Sequence, residues 1–341
     1  MANILFITPF LSGKGGTETV LRSVLEYAPK GCRLLVLGGT DDGKWISELP
    51  QNLKVSVGPS NKVLQLLYLA YFLLVNSFDK IICMSTTIIK VTSIFRKIMN
   101  KKYEIFSWIH FSITQESSVD ENSLLLADKF LAISSGIKNE LLALGVSAER
   151  VFLIWNPVSQ KKKTIGPSHS KKTVIAYIGR VTFEGQKNIR ELLLAIKMVP
   201  KNTLVVNIYG TGDSELCKRF IQDNDITQHF VWHGWVENPW NQIKTMDAVV
   251  MSSKYEGLPM TLLESLSYGV PVISSDCPTG PSDIVNDKNG FLYAVGDTKE
   301  LSKQIEKIKA QKFNRVFIKE SIGRFYVSNF NQKFWNTLLS E

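Results

Sequence analysis

Short apolar runs alternate along this chain with longer stretches whose apolar positions recur every three or four residues. In the first half the runs at 4–8, 33–37, 54–57, 80–84, 103–108, 129–133 and 151–154 read as strands. Helical periods lie between them, as at 17–28, 63–76 and 136–144. The alternation restarts at 173–178 and continues through 204–209, 230–233, 248–252 and 270–274. Strand and helix periods in turn predict mostly parallel sheets covered on both faces. Between the halves, Asn156-Pro157-Val158 closes one series, and 159–172 is Lys-, Ser- and Gly-rich without apolar period. The pattern predicts an α/β chain of two Rossmann-like, doubly wound domains. They are residues 1–158 and 173–320, joined by a linker at 159–172. A C-terminal helix over 321–341, aromatic-rich near its end, is expected to pack back on the first domain.

The stretch 251–290 organises the second half. A buried-strand run, Asp247-Ala248-Val249-Val250-Met251, leads into the polar turn Ser252-Ser253-Lys254-Tyr255-Glu256-Gly257. A helix follows with Pro259 near its first turn, where a missing N–H leaves nothing unpaired. It ends at Tyr268-Gly269, before the next strand. Ligands of open α/β sheets bind at such carboxyl strand ends, and a helix N-terminus there suits an anion.

At 341 residues each half is long enough to bury its own core. Cys32, Cys83, Cys217 and Cys277 form no CxxC pair, which argues for a reducing compartment and against disulfide or zinc frameworks. The first residues read as a strand, not as a signal peptide. A net charge of +9 favours acidic partners: phosphorylated substrates, an anionic membrane or nucleic acid. The excess gathers at Lys90, Arg96, Lys97, Lys101 and Lys102, and again at Lys161, Lys162, Lys163, Lys171 and Lys172. Residues 66–75 are unbroken apolar, but a spanning helix needs about 20 such residues. The run therefore reads as a buried or half-buried helix or, beside the basic patch, as one touching a membrane from one side.

Candidate chemistry collects at strand ends. Gly13-Lys14-Gly15-Gly16-Thr17-Glu18 follows the first strand; it is either a close backbone approach to a ligand or a turn that only caps a helix. It is neither GxGxxG nor a Walker loop. Gly179-Arg180 and Lys187-Asn188 follow the first strand of the second half, and the two cations read as diphosphate holders or as a solvated pair. Gly210-Thr211-Gly212-Asp213 occupies the next strand end, so successive turns there build a cleft. Glu264 can accept from both hydroxyls of a ribose, each charge-assisted bond contributing about 1.5–3 kcal/mol. Glu256 is placed for a second polyol such as a hexose. Among His110, His169, His229 and His233 there is no HExxH, and Asp223-Asn224-Asp225 reads as a polar helix terminus more than as a metal-binding DxD. No GxSxG nucleophile motif or nucleic-acid-reading motif is present.

Glu256-Gly257-Leu258-Pro259-Met260 through Glu264, Gly269-Val270-Pro271-Val272-Ile273, Gly280-Pro281-Ser282-Asp283-Ile284-Val285 and Asn289-Gly290-Phe291-Leu292 resemble glycosyltransferase family 4. The resemblance implies a GT-B fold, two Rossmann-like domains facing a central cleft, and retaining transfer from a nucleotide sugar without a metal ion. It assigns the donor diphosphate to Arg180 and Lys187, the ribose to Glu264 and the hexose hydroxyls to Glu256. The backbone of Gly257, Leu258, Pro259 and Met260 would meet phosphate and sugar. Gly15 and Gly16 would let the first domain close over the diphosphate, and Gly210 would lie in the same cradle. His110 resembles the family's histidine near the donor sugar, with a satisfied strand-end histidine as the alternative. Trp232 lies in the segment 230–235, where family members contact the base.

Cys277-Pro278-Thr279-Gly280-Pro281 and the chain's size further resemble enzymes that extend the lipopolysaccharide core of enteric bacteria. That implies UDP-galactose as donor and a monomer lying peripherally on the cytoplasmic face of the inner membrane, with no nucleic-acid partner. UDP-glucose is the alternative donor, and a sugar-nucleotide epimerase of the same fold the alternative activity. The chain departs from the family between Arg180 and Lys187, where seven positions replace a shorter spacing. Phe183-Glu184-Gly185 lengthens that loop, which leaves open whether Lys187 reaches the site or Arg180 acts alone.

Overall fold

The computed structural model describes residues 2–12, 15–41 and 43–339, and the chain divides into two units. Gly13 and Lys14 of the glycine-rich turn lie outside the described residues. One unit holds the chain to Pro157 and from Val327 onward; the other spans Val158–Tyr326.

The first unit is built on seven parallel strands: β1 Ile4–Thr8, β2 Cys32–Val36, β3 Lys54–Val57, β4 Lys80–Cys83, β5 Glu104–Ser107, β6 Lys129–Ala132 and β7 Val151–Leu153. Their order is β3-β2-β1-β4-β5-β6-β7. Every residue of β1 and β4 is buried, as expected where helices cover both faces of a parallel sheet. The order reverses at the β1–β4 neighbours, and right-handed crossovers then place helices on opposite faces.

The tail returns to this unit because its apolar face has one place to go. Phe330, Phe334, Trp335 and Leu338 of the Val327–Leu339 helix are buried. The Phe334 ring stands 5.2 Å from Trp108 and 6.4 Å from Phe6. Lys80, itself buried, donates to the Leu338 carbonyl at 2.7 Å and so caps the helix's carboxyl end. The helix expected over 321–341 thus begins at Val327, after the Arg315–Ser321 helix, which belongs to the second unit.

In the second unit β8 Thr173–Ile178, β9 Leu204–Tyr209, β10 Phe230–Gly234, β11 Ala248–Met251, β12 Val272–Ser275 and β13 Gly290–Tyr293 run parallel in the order β10-β9-β8-β11-β12-β13. The switch point falls between β8 and β11. β13 has no counterpart among the expected strands. Its first residue is a glycine because a Cβ there would strike the Val272 carbonyl of β12.

Residues 159–172 are not a free linker. Ile165 is fully buried and its amide donates to Tyr268 O at 2.9 Å; Lys163 Nζ donates to the carbonyls of Trp240 and Ile243, each at 2.9 Å. Ser168 N donates to Asp247 Oδ1. The segment is a strap on the second unit. One buried isoleucine contributes about 1.5–3 kcal/mol without producing any period that a sequence reading could detect.

Candidate active site

The second unit assembles its candidate site from the carboxyl ends of β8, β9, β11 and β12. Two glycines bring the first two ends together. Gly179 has φ +150° and Gly210 φ +148°, and a Cβ on Gly210 would overlap the Gly179 carbonyl oxygen. Gly179 N donates to Tyr209 O at 2.9 Å, and Gly210 N to Gly234 O at 2.7 Å. The close approach that Gly210 permits is therefore to the neighbouring loop. Arg180 follows Gly179 and is exposed; its carbonyl accepts the Tyr177 hydroxyl at 2.6 Å. Burial, followed by the Glu256 charge, raises the Tyr177 pKa, so this hydroxyl stays a donor.

Across the lengthened loop Lys187 reaches Glu256. Its ammonium meets Glu256 Oε1 at 2.7 Å, with the two side chains 23% and 8% exposed. Ser252 Oγ reaches the carbonyls of Lys187 and Asn188, and Lys254 N donates to Gln186 O at 2.8 Å. Of the lengthening residues, Phe183 packs against the core and the Phe220 ring, while Glu184 is exposed and Gly185, at φ +86°, has open space around it.

Hydroxyls from β12 and its loop hold the other side of the 252–259 turn. Ser275 Oγ donates to Ser253 O at 2.6 Å, and Thr279 Oγ1 to Glu256 O. At Gly280, φ +98°, a Cβ would stand 2.6 Å from Pro259 Cδ and 2.9 Å from Gly257 O, so only glycine lets the two loops close. Pro259 sits immediately before the Met260–Ser267 helix, and Thr261 Oγ1 ties the helix start to Ile178 O at the end of β8. Glu256, Gly257, Leu258 and Pro259 are buried, with Met260 half-buried. The result is a half-screened ammonium–carboxylate pair in the turn that leads into the Met260–Ser267 helix, an arrangement chemically suited to an anion and a hydroxyl-bearing group together.

Glu264 and Trp232 have partners of their own. Glu264 is half-buried and accepts the Trp240 indole N–H at 3.2 Å; burial raises its pKa against the lowering effects of Trp240 and Lys161. Trp240 stacks on Tyr268 at 4.9 Å. Trp232 packs against the core from the edge strand β10, with Lys218 Nζ 5.9 Å from its ring. Asp223 ends its helix and Asp225 pairs with Lys201, as the helix-terminus reading expects. Among the described residues no group of three or more His, Cys, Asp or Glu could hold a metal ion. A cavity of about 510 Å³ opens between Lys254, Asp276 and Tyr293, beside the same turn.

The first unit carries Gly15, Gly16 and His110. The Gly15 amide is taken by Glu18, whose carboxylate also receives the amide and hydroxyl of Ser12. Glycine followed by Glu three residues later is the spacing of a capping box, a signal the glycine count obscures. Gly16 and Thr17 stand in the first turn of the Gly16–Leu25 helix, where amides lack intrahelical partners.

His110 is buried, 4.7 Å from the Trp108 ring, with Nε2 unpartnered. Burial lowers its pKa to about 3. The loop bearing it is clamped by Glu140, which accepts from Ser112 Oγ at 2.7 Å, Ile113 N at 2.8 Å and Thr114 Oγ1 at 2.8 Å. Nothing in the sequence links Glu140 to a loop so distant along the chain. His110 should stay neutral across the physiological range: its NMR ring resonances are expected not to shift between about pH 5 and 8, whereas an ordinary histidine titrates near 6.5. A midpoint in that window would show instead that water or a charge reaches the ring.

Residues 158–322 match the family described as "Glycosyl transferases group 1". A lipopolysaccharide 1,6-galactosyltransferase of Salmonella typhimurium is 33% identical over 99% of each chain. The solved apo form of the lipopolysaccharide outer core galactosyltransferase WaaB superposes with TM-score 0.86, at 32% identity, covering 99% of both chains. Anabaena HepE, solved in complex with UDP-glucose, shares the fold at TM-score 0.80 and 19% identity, over 99% or more of each chain.

Proposed function

Because the chain belongs to the group 1 glycosyl transferases, on a GT-B fold, we propose that it transfers galactose from UDP-galactose to a hydroxyl of the lipopolysaccharide core. Anomeric configuration is retained and no metal ion takes part. The observation that carries this is the Lys187–Glu256 pair at the switch point of the second sheet, beside the start of the Met260–Ser267 helix. When the sugar–phosphate bond breaks, negative charge grows on the departing diphosphate. Lys187, Arg180 and the backbone amides of Gly257, Leu258 and Met260 stabilise it there, as fixed dipoles and charges do best in a screened site. Glu256 takes hydroxyl donors of the hexose and Glu264 those of the ribose. No second carboxylate is assigned as a nucleophile, so the incoming hydroxyl attacks from the face the diphosphate leaves. His110, Gly15 and Gly16 keep the roles the family resemblance gives them. Near-complete coverage of the Salmonella galactosyltransferase supports the acceptor class and, with it, a peripheral position on the cytoplasmic face of the inner membrane.

Calorimetry with a panel of UDP-sugars, followed by NMR of the product, tests the reading. Tightest binding of UDP-galactose and an α-linked product from the α-linked donor are expected. Turnover of the nucleotide sugar to an epimer with no acceptor present would replace transfer by epimerisation. A trapped covalent glycosyl-enzyme would overturn the same-face displacement.

A further inference from the structure

The Lys62–Val75 helix of the first unit buries only Leu69, Phe72 and Leu73. Its outward stripe is apolar from end to end: Val63 is 66% exposed, Leu67 62%, Tyr71 62% and Leu74 57%, with Leu64, Leu66 and Val75 beside them. An ordinary surface helix turns charged residues to water on that side. Here no charged residue lies between Lys62 and Asp79. Contiguous apolar surface of this kind marks an interaction site. The fourteen-residue helix is about 21 Å long, short of the ~30 Å needed to span a bilayer. Among the described residues no helix is long and apolar enough to cross a membrane.

The neighbouring Thr86–Ile98 helix touches it and turns outward Lys90, Ile94, Lys97 and Ile98, the last 75% exposed. From Lys62 to Lys102 the chain has seven Lys or Arg and a single acid, Asp79. Two of the cations serve the fold: Lys80 is buried, and Arg96 pairs with Asp128 while donating to Tyr103 O. Lys101 caps the apolar helix through Leu74 O at 3.2 Å. Lys62, Lys90, Lys97 and Lys102 remain exposed. An apolar face whose cationic border outweighs the acids beside it, Asp79 and the Asp120 that neighbours Lys90, complements the surface of an anionic bilayer.

We propose that this helix lies in the plane of an anionic membrane, its 63–75 stripe in the acyl boundary and Lys90, Lys97 and Lys102 on the headgroups. The helix begins at the carboxyl edge of the sheet, since a Cβ on Gly38, just beyond β2, would lie 3.4 Å from Gln65 Nε2 and 3.5 Å from the exposed Phe10, beyond β1. Docking there holds that edge at the lipid surface. The inference rests on the transferase reading only for what the membrane presents.

The test is flotation of the full chain with vesicles of phosphatidylethanolamine and phosphatidylglycerol, set against phosphatidylcholine alone. Wild type should float with the anionic vesicles. The pair Leu67→Glu and Tyr71→Glu should lower binding by about tenfold or more, with circular dichroism and melting unchanged because both side chains are exposed. Charge reversal at Lys90, Lys97 and Lys102 should reduce binding to anionic vesicles and abolish its salt dependence. A wild type that stays in solution, or a Leu67/Tyr71 variant that binds like wild type, overturns the proposal. So does light scattering that shows a dimer which this variant dissociates. Transfer to a short soluble acceptor is measured in parallel: its absence beside intact flotation counts against the reaction and leaves the docking face standing.

Discussion

Lys187→Ala is expected to lower kcat/KM by about 10²–10³, the scale of one lost electrostatic stabiliser in a screened site. The loss should fall mainly on kcat, since the charge that Lys187 meets grows as the bond breaks. The same substitution strands Glu256, 8% exposed, without its partner. Breaking a fully buried pair costs about 3–5 kcal/mol, and the 23% exposure of Lys187 places this one lower. Melting curves separate the two effects. Adding Glu256→Gln to Lys187→Ala should recover stability and leave turnover low. Near wild-type turnover for Lys187→Ala at low donor concentration would remove the ammonium from the reaction.

Gly210→Ala should be the most damaging single methyl in the second unit. The new Cβ would overlap the Gly179 carbonyl, and φ at +148° disfavours any side chain. Neither loop can step back freely, because Gly179 N and Gly210 N are both bonded across the strand ends. A loss of about 3 kcal/mol or more is expected, lowering the melting temperature of this unit by roughly 6–12 °C. Gly179→Ala is the control: its φ is +150°, yet open space surrounds the Cβ, so it carries only backbone strain of about 1–3 kcal/mol. Calorimetric UDP binding should weaken with Gly210→Ala more than with Gly179→Ala. Equal melting temperatures for Gly210→Ala and wild type would show that the loops part easily.

Particular elements show where a sequence reading reaches its limit. The Lys62–Val75 helix was legible as a helix too short to span, but which of its apolar residues would face outward was not. Arg96 looked like one more member of a basic patch, whereas its guanidinium is engaged by Asp128 and the Tyr103 carbonyl. The glycine-rich turn reads equally as a close backbone approach or as a helix cap, and only the structure shows Glu18 folding back on Gly15 and Ser12. Asn289-Gly290, read as part of a family motif, turns out to start β13 and to brace it: Asn289 bonds Ile284 O and Ser321 Oγ.

Periods of two and of three to four residues, with punctuation at Gly and Pro, determined by themselves that this is an α/β chain of two parallel-sheet units. Burial on both faces writes itself into local apolar runs. The order of motifs likewise determined the family. Tertiary structure alone decided that Lys187 reaches Glu256 across 69 positions of sequence, that Glu140 holds the His110 loop, and that 159–172 straps onto the second unit. These depend on where separate strand ends meet in space, and pairings between distant residues leave no period in the chain to read.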